Sequence, residues 1–120
     1  MPELPEVETV SQGIKSKLLN CKINKFLVKR RDLRFKMDSK FEQKILNTKI
    51  YDVSRRAKYI LIHLNNGLTI IIHLGMSGRI AIDSLSSSEK KFKHTHLEIF
   101  MSNKKQMKFI DPRRFGSVLL

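Results

Sequence analysis

Cysteine is nearly missing from this sequence: Cys21 is the only one. A single thiol cannot close a disulfide within the chain, and it excludes a cysteine-based zinc site. Acidic residues are scarce as well. Eleven Asp and Glu stand against 24 Lys and Arg, for a net charge of +13 at pH 7. That imbalance points to a polyanionic partner, most simply a nucleic acid. Ribosomal and membrane-surface proteins share such a charge, but no long basic amphipathic helix is present to lie on an acidic membrane. Long apolar runs are absent too. The longest, near Leu68 to Leu74, is far too short to span a bilayer. The first turn is acidic and lacks a basic region followed by an apolar run, so no signal peptide is read and a cytoplasmic, bacterial-type location is expected. His73, His94 and His96 have no carboxylate or thiol to complete a set, so no metal or cofactor is expected.

What is present reads as one domain with a modest core. Pro5 to Leu19 has Val7, Val10, Ile14 and Leu18 on one helical face. Pro5 is tolerated in the first turn, and Glu6 and Glu8 suit the positive end of the helix. Lys22 to Arg30 reads as a strand, and basic Lys29 to Lys36 as a loop or strand rim. Ser39-Lys40-Phe41-Glu42 matches a capping box and predicts a short helix from Lys40 to Leu46. Thr48 to Arg55, Lys58 to Leu64 and Leu68 to Leu74 read as strands, the last two joined by an Asn65-Asn66-Gly67 hairpin turn. Arg79 to Ile82 reads as a further strand and polar Asp83 to Lys93 as a loop. His96 to Met101 and Met107 to Ile110 follow as strands that turn at Ser102-Asn103-Lys104. Asp111-Pro112 opens a type I turn, and Ser117 to Leu120 is a last strand. The sum is an α+β, mostly β fold: a β-sandwich flanked by two helices.

The chemistry starts at the amino terminus, Met1-Pro2-Glu3-Leu4-Pro5-Glu6-Val7-Glu8-Thr9-Val10. Removal of Met1 would leave Pro2 with a free secondary amine. Amines attack electrophilic carbon to form covalent intermediates, and a secondary amine on a sugar C1′ gives an iminium that is cationic without further protonation. An ordinary α-amine titrates about 2.5 units below lysine, so it is roughly 300-fold more often neutral at pH 7. Glu3 beside it can supply a proton. Many proteins begin Met-Pro and merely lead into a helix; the longer decapeptide is what sets this chain apart.

Two turns carry residue types suited to DNA. Gly75-Met76-Ser77-Gly78 either buries Met76 in the core or, with glycines on both sides, exposes it. Arg113-Arg114-Phe115 follows Asp111-Pro112, either as a solvated basic loop with Phe115 folded inward or as a DNA-facing turn. A base stacked in a duplex must be rotated out before its sugar can be attacked. An apolar wedge and a cation are the groups that would then fill the gap. Lys58 follows Arg55 and Arg56 at the start of an apolar strand.

The decapeptide strongly resembles the start of bacterial formamidopyrimidine-DNA glycosylases, base-excision enzymes for 8-oxoguanine and ring-opened purines. Three further segments resemble the same family in the same order: Arg55-Arg56-Ala57-Lys58-Tyr59, His73-Leu74-Gly75-Met76-Ser77-Gly78, and Asp111-Pro112-Arg113-Arg114-Phe115-Gly116. Leu4, where the branch acting on oxidised pyrimidines typically has Gly, favours the purine-lesion branch. The resemblance implies the amino-terminal β-sandwich domain of that family and damaged double-stranded DNA as partner. It implies Pro2 as nucleophile, Glu3 as proton donor, Glu6 close to the active site, and Lys58 near the lesion and its flanking phosphate. His73 and His94 match positions near the DNA backbone. Met76, Arg113 and Phe115 match residues that enter the helix gap; the Arg113 match pairs with the orphaned cytosine and the Arg114 match contacts phosphate. Family members are more than twice as long, with a helix–two-turn–helix domain and usually a four-cysteine zinc finger, both absent from this sequence. Two readings therefore stand: a catalytic domain that retains the covalent chemistry, or a non-catalytic basic DNA-binding remnant.

Overall fold

The computed structural model describes residues 3–29, 40–75, 77–84, 95–111 and 116–120. Among them are α1 (Leu4–Leu18), β1 (Ile23–Val28), α2 (Phe41–Ile45), β2 (Ile50–Arg56), β3 (Tyr59–Leu64), β4 (Thr69–His73), β5 (Arg79–Ser84), β6 (Thr95–Met101), β7 (Lys105–Ile110) and β8 (Ser117–Leu119). The strands form two four-stranded sheets, in the orders β1-β6-β7-β5 and β2-β3-β4-β8. Every pairing is antiparallel. Alternation along each strand turns one set of side chains inward. Ile60, Ile62, Ile70 and Ile72 from one sheet share a buried cluster with Leu97, Ile99, Met107 and Phe109 from the other. The mostly β sandwich with two helices matches the fold read from the sequence.

The helices flank this core. α1 buries Val7, Ser11, Ile14 and Leu18 and packs mainly on β2. Val10 sits at the edge of the same face, only partly buried. α2 rests on β1, with the Phe41 and Phe26 rings 5.0 Å apart. Both helices stop in the same way. Asn20 and Asn47 follow the C-caps with φ of 66° and 65°, and their N–H groups donate to Ile50 O and Ile23 O. Asparagine is one of the few residues that accept this left-handed stop.

Lys40 stands at the N-cap of α2; Ser39, the first residue of the expected capping box, lies outside the described residues. Three local expectations are corrected. Asp83 and Ser84 belong to β5, paired with Gln106 and Lys105, rather than to a loop. Lys58 does not open β3. It shares a two-residue hairpin tip with Ala57, because Arg56 pairs with Tyr59. In the Asn65-Asn66-Gly67 turn only Gly67 takes positive φ, 88°. Asn66 instead accepts the Leu68 N–H on its side-chain oxygen, as asparagine does in turns.

Candidate nucleic-acid interface

One end of the sandwich gathers the motifs. Arg56, Tyr59, His73 and Ser117 form a continuous row across β2, β3, β4 and β8. In the other sheet the same level is marked by Arg79 and Thr95, both paired with Ile110. Two short connections cross between the sheets here: residues 74–78 join β4 to β5, and residues 111–116 join β7 to β8.

The hairpin tip is held from α1. Arg55 donates from Nε to Glu8 Oε2 at 2.6 Å and from Nη1 to the Ala57 carbonyl at 2.8 Å. Glu8 also accepts Gln12 Nε2 at 2.9 Å. The Gln12 hydrogen bond and then Arg55 hold the Glu8 carboxyl below its ordinary range. Ala57 sits at φ 51°, a strained conformation for a residue with a Cβ. Lys58, next to it, is half-buried.

A second ion pair sets the direction of α1. Lys15 Nζ lies 3.1 Å from Asp52. Residue 8 therefore lies beside 55, and 15 beside 52, so α1 runs antiparallel to β2. Its start is directed toward the Ala57-Lys58 tip. Glu3, Leu4, Pro5 and Glu6 are all exposed there. Glu3 is the N-cap but makes no side-chain capping bond; its carbonyl accepts the Val7 N–H at 3.0 Å.

The 74–78 connection needs its glycines. Gly75 has φ 63°, and a Cβ on Gly78 would lie 2.3 Å from the Leu74 carbonyl oxygen. Gly75 N–H donates to His73 Nδ1 at 3.0 Å. An accepting Nδ1 places the proton of the neutral ring on Nε2. The same ring lies 5.1 Å from Tyr59, tilted by 59°, so His73 is locked by its own turn and its strand neighbour.

The 111–116 connection is anchored by Asp111, which is fully buried. Its Oδ1 accepts Ser77 Oγ at 2.6 Å and its Oδ2 accepts the Gly116 N–H at 2.8 Å. Its carbonyl is 2.7 Å from His96 Nε2. A carbonyl only accepts, so that nitrogen carries the proton. His96 falls where the β6 register shifts between Thr95 and Leu97, a bulge that re-aims a side chain.

Of the residues singled out in the sequence, Glu3, Glu6, Lys58 and His73 fall at this end. Pro2, Met76, His94, Arg113, Arg114 and Phe115 lie outside the described residues. Sequence reasoning missed the clamp through Glu8 and Arg55, the Tyr59–His73 ring pair, and the roles of Ser77, His96 and the Asp111 carboxylate. The Asp-Pro dipeptide signalled a turn, but nothing in it named Ser77 as a partner.

Residues 1–118 match the family described as the formamidopyrimidine-DNA glycosylase N-terminal domain. The chain belongs to this family. The formamidopyrimidine-DNA glycosylase of Rickettsia africae is 46% identical over 118 residues, which is 98% of this chain and 42% of that protein. That of Vesicomyosocius okutanii is 42% identical over 99% of this chain and 43% of its own length. The chain thus spans about two fifths of these relatives. Among solved structures of the family, Lactococcus lactis Fpg with DNA containing an abasic site superposes with a TM-score of 0.88 at 26% identity. The same enzyme with DNA containing Fapy-dG superposes with a TM-score of 0.87 at 26% identity. Each comparison covers 98% of this chain and 43% of that protein. This glycosylase-family domain carries +13 overall, an excess that would remain even if every carboxylate neutralised one cation. Among its described residues no helix is long and apolar enough to cross a membrane.

Proposed function

We propose that this chain is the catalytic amino-terminal domain of a base-excision DNA glycosylase with abasic-site lyase activity, acting on 8-oxoguanine and formamidopyrimidines in double-stranded DNA. The observation that supports it most is the convergence at one end of the sandwich. The start of α1, the Lys58 tip, His73 and both sheet-crossing turns all lie there, on a strongly basic domain of this family.

In this reading Pro2, with Met1 removed, attacks C1′ through its amine. The N–C1′ bond forms as the bond to the damaged base breaks, and the base leaves with a proton. Glu3 supplies or relays protons at the sugar. The amine then loses its proton and its lone pair expels O4′, which Glu3 protonates, so the C1′–O4′ bond breaks and an iminium forms. The iminium acidifies the C2′ proton, whose loss expels the 3′ phosphate, and a further elimination expels the 5′ phosphate. Glu6 and Lys58 stand beside the reacting nucleotide, Lys58 on its flanking phosphate. His73, His94 and Arg114 hold the backbone, and Met76, Arg113 and Phe115 fill the gap left by the flipped nucleotide. The chemistry calls for no metal or cofactor.

Borohydride trapping tests this reading, on duplexes with an abasic site or 8-oxoguanine opposite cytosine, with intact-mass analysis of the amino terminus. An adduct on Pro2 is the expected result. Failure to trap either duplex, with Met1 shown to be absent, would leave only a basic DNA-binding domain.

A further inference from the structure

The two short sheet crossings meet in one side chain. Asp111 receives Ser77 Oγ on one carboxylate oxygen and the Gly116 N–H on the other. Ser77 belongs to the 74–78 crossing, and Gly116 closes the 111–116 crossing. Neither bond belongs to a strand ladder. They join segments that are 34 residues apart in sequence. Asp111 is itself held by His96, whose Nε2–H donates to its carbonyl and whose ring tilts against Phe109 at 6.5 Å. On the far side, a Cβ on Gly116 would meet the His73 carbonyl oxygen at 2.6 Å and Asp111 Oδ2 at 2.9 Å. The crossings are therefore packed as tightly as they are bonded. A buried carboxylate is costly unless donors satisfy it; here both oxygens have one.

We propose that Asp111 is a positioning residue that couples the two crossings, holding Ser77 and Gly116 in register so that this end of the sandwich meets DNA as one unit. The inference rests on the reading of function above and adds the device that would keep two separate turns in register. In that reading both crossings face the same stretch of the duplex, and their groups act on it together. Small misplacement of such groups is expensive: about 1 Å can cost 100-fold.

The experiment combines backbone hydrogen exchange with DNA preference. Ser77→Ala deletes one hydroxyl and leaves the sandwich core untouched. Exchange at the Gly116 amide, on the other crossing, is expected to quicken about tenfold, the scale of one charge-assisted hydrogen bond. The preference of the chain for a duplex with an abasic site over the same duplex intact is expected to fall about tenfold as well. Asp111→Asn keeps an oxygen for Gly116 and offers an N–H to Ser77, so it is expected to retain most of the preference. Asp111→Ala is expected to lose it; should that variant not fold, Ser77→Ala decides. Unchanged Gly116 exchange in Ser77→Ala, or an unchanged preference despite faster exchange, overturns the coupling. A wild-type chain with no preference overturns the functional reading instead, and faster Gly116 exchange in Ser77→Ala would then support the mechanical coupling alone.

Discussion

Glu8 and Arg55 meet at 2.6 Å across the seam between α1 and β2, 47 residues apart in the chain. The same guanidinium reaches the carbonyl of Ala57, so one arginine connects the first helix to the tip that bears Lys58. The spacing of the two α1–β2 ion pairs is self-consistent. Seven helical residues from 8 to 15 rise about 10.5 Å, and three strand residues from 52 to 55 span about 10 Å. The two elements run alongside each other in opposite directions, which brings the start of α1 toward the hairpin. Loss of this link should act on chemistry more than on folding. Arg55→Ala is expected to slow borohydride trapping on an abasic duplex by about tenfold, with a small change in melting temperature, because an ion pair that solvent still reaches stabilises little. A large loss of stability with unchanged trapping in the folded fraction would contradict this positioning role.

The same seam should loosen in acid. Gln12 and Arg55 lower the Glu8 pKa, and Lys15 with the Val53 N–H lowers that of Asp52. Each carboxyl binds protons more readily in the unfolded chain. Its stabilisation is therefore present above the unfolded value and lost as pH falls through the folded one. The window lies below about pH 4, where free carboxyls begin to protonate. Melting curves of wild type and of a Glu8→Gln, Asp52→Asn double variant should converge there and separate at neutral pH. A constant gap across the range would exclude these two groups.

Ala57 pays for its left-handed backbone. Ala57→Gly is expected to raise unfolding free energy by about 1 kcal/mol, read as a higher urea midpoint at constant slope. A lower midpoint would mean that the Ala57 methyl group contributes packing that outweighs the strain.

Three glycines should respond differently to one methyl group. Gly78→Ala and Gly116→Ala place a Cβ 2.3 Å and 2.6 Å from the backbone oxygens of Leu74 and His73. Each is expected to lose about 2–4 kcal/mol by forcing a backbone shift. Gly13 lies inside α1 with nothing within 4 Å of an added Cβ, so Gly13→Ala should gain about 0.5–1 kcal/mol. Chemical denaturation of the three variants checks the order, and a stable Gly78→Ala would show that the 74–78 crossing can relax.

Pro2→Gly should abolish most borohydride-trapped adduct while leaving DNA affinity nearly intact, since the backbone contacts that dominate affinity lie elsewhere. Filter binding at two salt concentrations beside the trapping assay separates the effects. Equal loss of both would assign Pro2 a role in folding.

Much of this architecture can be read directly from the chain. Val7, Ile14 and Leu18 repeat at helical spacing and are buried. The apolar stretches Lys58 to Leu64 and Leu68 to Leu74 likewise read as strands and contain β3 and β4, but Ile60-Leu61-Ile62 and Ile70-Ile71-Ile72 are apolar at every position, so the inward face was not legible. The short helix read from Ser39-Lys40-Phe41-Glu42 is α2, which starts at Phe41 with Lys40 at its N-cap. Asp83 and Ser84 read as loop because they are polar, yet β5 is an edge strand where partly exposed polar residues are tolerated. The helix stops were legible but passed over: each helix is followed by Leu-Asn, and each asparagine takes the left-handed turn.

Composition, periodicity and glycine placement are local properties, so the sequence by itself determined the basic charge, the two helices, most strands and the two glycine-dependent turns. The interface is non-local. Arg56, Tyr59, His73 and Ser117 share a row only because three strand registers align. Arg55 finds Glu8, and Asp111 finds Ser77, only once the sheets and α1 have packed. No spacing rule reaches across 47 or 34 residues; those partners are chosen by the registers and packing that the whole fold imposes.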